Sequence, residues 1–193
     1  MTTQTGPVGA LIVVDAQAAF VAGEGAVPAA EPLLEEIMSL VARARAGRAV
    51  VVYLQNDGPV RAVDEPGKPG WQLHLPVREG RDEVVIRKVA DDGFDNTDLA
   101  GLLTGRGVRR LAICGVMSEM CVSATVRTAL NFGFGVVMPH DAHATYDIPA
   151  APDISDVVAA AVSWVAEWAL GDQIEVVPHA SGVNFVAPGT LAG

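Results

Sequence analysis

The feature that most constrains this fold is an alternation, along the whole chain, of short apolar runs and longer amphipathic segments. The runs cover residues 10–14, 49–54, 83–86, 110–115, 135–138 and 174–177. Each is rich in Val and Ile and closes on a polar or turn residue, the pattern of strands covered on both faces. Helix-like stretches at 31–46, 97–105, 120–132 and 154–170 lie between them. Pro32 sits in a first turn, where it costs no hydrogen bond, and Gly47 follows the last turn as a C′ residue would. Thr97 and Ser155 are positioned to act as N-caps, with Asp98 and Asp156 favouring the positive helix ends.

Strand–helix–strand repetition predicts an α/β fold, a six-stranded parallel sheet with helices on both faces. No internal repeat or linker divides residues 1–193, and that length suits a single domain. The one long irregular stretch, 56–81, is rich in Gly and Pro and reads as a lid or pocket wall. The net charge of −10 argues against a nucleic acid or an anionic membrane surface as partner. Two cysteines make no disulfide framework, and no apolar run approaches the ~20 residues of a membrane span. Residues 1–9 lack the basic region and apolar core of a signal peptide, so a cytoplasmic location is expected.

Several familiar sites are missing from the sequence. There is no G-x-G-x-x-G after a strand, no phosphate-binding G-x-x-x-x-G-K-[ST], no G-x-S-x-G and no H-E-x-x-H. His140 and His143 follow a strand, but a three-residue spacing in a loop is weak evidence for a metal pair.

Three other positions stand out, because ligands of open parallel sheets bind beyond the carboxyl ends of the strands. Asp15 closes the first run, Lys88 follows the third, and Cys121 follows the fourth at the start of a helix. Backbone N–H groups and the positive helix end there favour a thiolate. Each has a plainer reading: Asp15 as a turn cap, Lys88 as a solvated lysine, Cys121 as a small core residue, which is also the reading for Cys114. Together they are a nucleophile, a base and a cation at one edge of one sheet.

The stretches Val13-Val14-Asp15-Ala16-Gln17-Ala18-Ala19-Phe20, Ile86-Arg87-Lys88 with Phe94 and Thr97-Asp98-Leu99, and Gly115-Val116-Met117-Ser118-Glu119-Met120-Cys121-Val122 resemble the isochorismatase-like cysteine hydrolases. Thr125, Ala129, Gly133 and the Asp141-Ala142 pair continue the pattern. The resemblance implies a Rossmann-like sheet and a catalytic triad of Asp15, Lys88 and Cys121. It also implies a cis peptide at Val116–Met117 and an oxyanion hole made by the N–H groups of Met117 and Cys121. Gln17, Phe20, Trp71, His74 and Glu119 are the substrate-binding candidates; Trp71 reads equally as a loop anchor and Glu119 as a helix N-terminal charge. Asp91-Asp92-Gly93-Phe94 and the Cys121 stretch are similar to the streptothricin-hydrolase-like branch, which opens a lactam.

Where nicotinamidases of the family carry an Asp-x-His metal motif, this chain reads Gln55-Asn56-Asp57-Gly58-Pro59. The resemblance therefore implies no metal and no cofactor; Asp57 and His74 are the nearest substitutes for that motif. The expected activity is cleavage of an amide, lactam or carbamoyl C–N bond of a small molecule through a thioester, in a homodimer or homotetramer. Vinyl-ether hydrolysis of the isochorismatase type and a catalytically silent binding protein are the alternatives.

Overall fold

A computed structural model describes residues 6–78, 80 and 82–189. The six apolar runs become strands: β1 (Ala10–Val14), β2 (Val50–Asn56), β3 (Glu83–Lys88), β4 (Arg110–Val116), β5 (Gly135–Pro139) and, last in the chain, β7 (Ile174–Val177). They form one all-parallel sheet in the order β3-β2-β1-β4-β5-β7. A seventh strand not foreseen in the sequence, β6 (His143–Ala144), pairs with the end of β4. At two residues it is too short to leave a periodicity.

Alternation along the strands fills two cores. Leu11 and Val13 of β1, with Val51 and Tyr53 of β2, face α2 (Ala30–Ala46) and its Leu33, Ile37, Leu40 and Ala44. Ala10, Ile12 and Val14, with Val52 and Leu54, face Leu99 and Leu103 of α3 (Leu99–Gly105) and Val126 and Ala129 of α4 (Ser123–Asn131). Each Val, Leu or Ile fully buried this way contributes about 1.5–3 kcal/mol. The remaining helices are the short α1 (Ala18–Val21) and α5 (Ala159–Leu170). No helix among the described residues is long and apolar enough to cross a membrane.

Helix boundaries differ from the sequence reading for identifiable reasons. The last helix starts at Ala159 rather than 154, because 148–157 is held back by the bridges Ile148↔Val157 and Ala151↔Ile154. Ser155 therefore caps nothing, and Asp147 Oδ1 accepts the first N–H, from Ala159, at 2.7 Å. Thr97 acts from one residue further out than expected: Asp98 is the N-cap, and Thr97 Oγ1 accepts the Leu99 N–H at 3.3 Å. Gly47 is the C-cap with φ −77°, and the left-handed turn falls on Arg48 at φ 57°. Glycine is required at 47 for proximity, since a Cβ there would lie 2.4 Å from the Phe185 carbonyl oxygen. The irregular stretch beginning at 57 runs beneath α1, tied by a Gln17↔Leu73 bridge and a 3₁₀ turn at Pro69–Trp71; Arg81, at its predicted end, lies outside the described residues.

Candidate active site

The parallel register brings the carboxyl ends of β1, β2, β3 and β4 to one edge. Val14 pairs with Leu54 on one side and Gly115 on the other, and Asn56 pairs with Lys88. Asp15 follows β1 directly and takes the left-handed φ of 48°, a conformation Asp tolerates better than most residues. Lys88 ends β3, two strand spacings or roughly 10 Å from β1. Its side chain crosses the end of β2 and closes that gap: Lys88 Nζ lies 2.7 Å from Asp15 Oδ2. The same ammonium donates to the Ala90 carbonyl at 3.1 Å and to Cys121 Sγ at 3.4 Å, so its three protons have three acceptors.

Cys121 arrives from β4. Gly115, at φ 120°, lets β4 pass against β1, for a Cβ there would sit 2.1 Å from the Val14 carbonyl oxygen. The Val116–Met117 peptide is cis, as the resemblance implied. Ser118–Val122 then form a π-helical turn that leads into α4, with Cys121 buried in it. Isolated π turns of this kind recur at functional sites.

Burial sets the protonation of the cluster. It pushes the Asp15 carboxyl up to about 6, against the pull of the Lys88 ammonium. For Lys88 burial works against the charge, but Asp15 and then Cys121 outweigh it, and its pKa rises above the ordinary lysine value. Burial, and after it the Asp15 charge, raise the Cys121 thiol, with Lys88 opposing. This corrects the expectation of a resting thiolate at a helix N-terminus, because Cys121 sits inside the turn and beside a carboxylate. Asp15 Oδ1 is buried and, among the described residues, has no hydrogen-bond partner, which leaves a basic oxygen within the cluster. Cys114 lies in the core as expected, and burial raises its thiol too.

Gln17 is fully buried, and its amide is spent on the backbone: Nε2 donates to Asn56 and Trp71 carbonyls and Oε1 accepts from the Asn56 N–H. It ties Trp71 to the end of β2. Trp71 donates Nε1–H to Asp57 Oδ1 at 2.8 Å and lies under the Arg87 guanidinium, so the loop-anchor reading describes it. Phe20 is packed against the α2-side core. His74 is exposed, and its backbone N–H binds the Ala16 carbonyl. Glu119 accepts the Thr145 hydroxyl at 2.9 Å and lines a cavity of about 480 Å³ with Ser123, Arg127 and α5.

Sequence reasoning missed Asp91, an exposed residue whose Oδ1 lies 3.6 Å from Cys121 Sγ. Its signals were its place three residues beyond Lys88 and the Asp91-Asp92-Gly93-Phe94 stretch, neither of which marked it as a site residue. The Asp57 carboxylate does not suit a cation, since Arg87 already neutralises it (Nη2 to Oδ2, 2.6 Å) and Trp71 takes its other oxygen.

The model of the isochorismatase domain matches residues 9–169. The chain belongs to the isochorismatase domain family. A streptothricin hydrolase of Streptomyces noursei is 62% identical over 180 residues, which cover 93% of this chain and 65% of that relative. The chain thus spans just under two thirds of that relative's length. Among solved structures, an isochorismatase of Pseudomonas putida superposes with a TM-score of 0.82 at 27% identity, covering 93% of each chain. A pyrazinamidase of Pyrococcus horikoshii in complex with zinc superposes with a TM-score of 0.71 at 28% identity, covering 89% of this chain and 99% of that one. These family relationships run through the strands that place Asp15, Lys88 and Cys121.

Proposed function

We propose that this member of the isochorismatase family is a cysteine hydrolase that cleaves an amide-type C–N bond of a small molecule through a thioester. The observation that carries this reading is the position of Lys88 Nζ, 2.7 Å from the Asp15 carboxylate and 3.4 Å from the Cys121 sulfur in a buried cluster. Asp15 takes the thiol proton as the sulfur attacks the carbonyl carbon. The raised pKa of Asp15, about 6, makes it a stronger base than an ordinary carboxylate while leaving it ionised at neutral pH. Lys88 stabilises the negative charge as it moves from Asp15 to sulfur. The N–H groups of Met117 and Cys121 hold the oxyanion. Asp15 then returns the proton to the departing nitrogen, the C–N bond breaks, and a water deprotonated by Asp15 attacks the thioester to release the acid and the thiol.

The 62% identity to a streptothricin hydrolase makes streptothricin the first substrate to try. Incubation with the purified protein, followed by mass spectrometry, is expected to show a product heavier by one water. An unchanged streptothricin spectrum alongside hydrolysis of another amide, lactam or carbamoyl compound would move the substrate but keep the chemistry. Failure on all three classes would remove the hydrolase reading.

Activity requires ionised Asp15, so the acid side of the pH profile is determined by it. As pH falls through about 6, the carboxyl protonates and kcat/KM falls roughly tenfold per unit below that point. The apparent value belongs to the coupled cluster, so it is read from the free-enzyme limb of kcat/KM. A profile flat down to pH 4.5 would separate Asp15 from the proton transfer.

The reaction draws on no Lewis acid in this scheme, because backbone N–H groups meet the oxyanion. Dialysis against a chelator is expected to leave turnover within about twofold of the untreated enzyme, whereas metal-polarised hydrolysis would lose it altogether. Activity lost to chelator and restored by a metal would overturn this step.

A further inference from the structure

Away from the triad, three donor atoms converge that the mechanism does not use. His140 lies in the 3₁₀ turn after β5, His143 begins β6, and Glu167 stands on α5. His140 Nδ1 lies 2.6 Å and His143 Nε2 2.8 Å from the same oxygen, Glu167 Oε1. All three donor atoms fall within 4.8 Å of one another. We propose that His140, His143 and Glu167 form a site for one divalent transition-metal ion, with Zn²⁺ the best fit, and that this site is distinct from the catalytic cluster.

The donor set suits the ion. Two imidazoles and one carboxylate are an established zinc ligand set, with a fourth position left to solvent. Imidazole nitrogens also favour Zn²⁺ over the oxygen-seeking Mg²⁺ and Ca²⁺. Ligand atoms around a tetrahedral ion at ~2.0–2.1 Å lie about 3.3 Å apart, so the Glu167 oxygen has to recede by roughly half an ångström from each nitrogen, and the two nitrogens, within 4.8 Å of each other, have to settle at the same spacing. In the metal-free protein each ring donates an N–H to that oxygen; on binding, each ring carries its proton on the other nitrogen instead, and for His143 that N–H, on Nδ1, donates to Ser118 Oγ.

The surroundings are built to match. The second nitrogen of His143, Nδ1, lies 2.8 Å from Ser118 Oγ, which in turn lies 2.9 Å from Ser163 Oγ. A hydrogen bond of this kind to the far nitrogen is what fixes the ring of a metal-binding histidine. A cavity of about 490 Å³, lined by His140, His143, Thr145, Asp147 and Ser163, gives room for the solvent ligand. His143 and Glu167 are buried while the His140 side chain is half exposed, so an ion enters past His140. Neither Asp57 nor His74 belongs to the cluster, so the site does not depend on the stretch after β2.

The test is a titration of chelator-stripped full-length protein with Zn²⁺ by calorimetry, repeated with Co²⁺ and read by its visible d–d absorption. The wild type is expected to bind one equivalent with a Kd of about micromolar or tighter and to show the intense bands of four-coordinate Co²⁺. His143→Gln and Glu167→Gln are expected to weaken binding by more than about thirtyfold. Because these two are buried and can disturb folding, the half-exposed His140→Ala is the deciding variant, with its far-UV circular dichroism checked. Cys121→Ala and Asp57→Asn are expected to bind as the wild type does. No saturable binding by the wild type would overturn the proposal, as would undiminished binding by a folded His140→Ala. Loss of binding in Cys121→Ala would overturn it too, by moving the ion to the catalytic thiol.

Discussion

Cys121→Ala is expected to remove essentially all turnover, and Asp15→Asn and Lys88→Ala to lower kcat by about a thousandfold or more each. The reason is the sharing of one proton and one cation among three buried groups. Without Asp15 the thiol keeps only the exposed Asp91 carboxylate, 3.6 Å away, to take its proton, since Lys88 is already charged. Without Lys88 the buried Asp15 carboxylate loses the ammonium 2.7 Å away, its pKa climbs further, and it enters the cycle protonated. Lys88→Ala also leaves a buried acid without its partner, which costs about 3–5 kcal/mol of stability less whatever protonation of Asp15 recovers. Since the three act as one unit, any double variant is expected to lose little more than the worse single one. Steady-state kinetics on the three single and three double variants check this, with thermal melts on each. Losses that multiply in the doubles would mean the groups act in separate steps.

The second large effect is structural. Gly115→Ala is expected to destabilise the protein by about 3–5 kcal/mol, combining a strained backbone with overpacking. The residue holds φ 120°, where L side chains are rarely found, and the new Cβ would lie 2.1 Å from the Val14 carbonyl oxygen of β1. That oxygen belongs to backbone in the middle of the sheet and cannot move aside as a side chain would. Relief must come from parting β1 and β4, which are the strands that place Asp15 and Cys121. Chemical denaturation gives the free energy, and an unchanged midpoint would show that the β1–β4 edge is looser than described. Gly133→Ala shares the positive φ, at 82°, but nothing lies within 4 Å of its added Cβ, so it isolates the backbone contribution from the clash.

What the sequence made legible follows from how local each signal is. β1 and β7 begin and end where their apolar runs do, because strands covered on both faces are written as unbroken Val/Ile stretches. Asp15, Lys88 and Cys121 were visible because each follows such a stretch, and the parallel order brings those ends together. Non-local features left no such trace. Gln17 reads as a pocket residue from its place after β1, and only the fold shows that its amide meets the backbone groups of Asn56 and Trp71. The lowered thiol expected of Cys121 fails because burial and the Asp15 charge come from other segments than its own turn. His140 and His143 looked unremarkable at a spacing of three, and Glu167, which completes their cluster, lies on α5.

The central claim, that Cys121 is the nucleophile, is tested most directly by alkylation followed in time. The wild type is treated with iodoacetamide at pH 8, and residual hydrolysis and peptide-mapped modification are measured on the same samples. The account predicts that activity falls in step with modification of Cys121 while Cys114, fully buried in the core, stays unmodified. It also predicts that substrate slows the loss. Full activity with Cys121 alkylated, or inactivation that follows Cys114 instead, would contradict it.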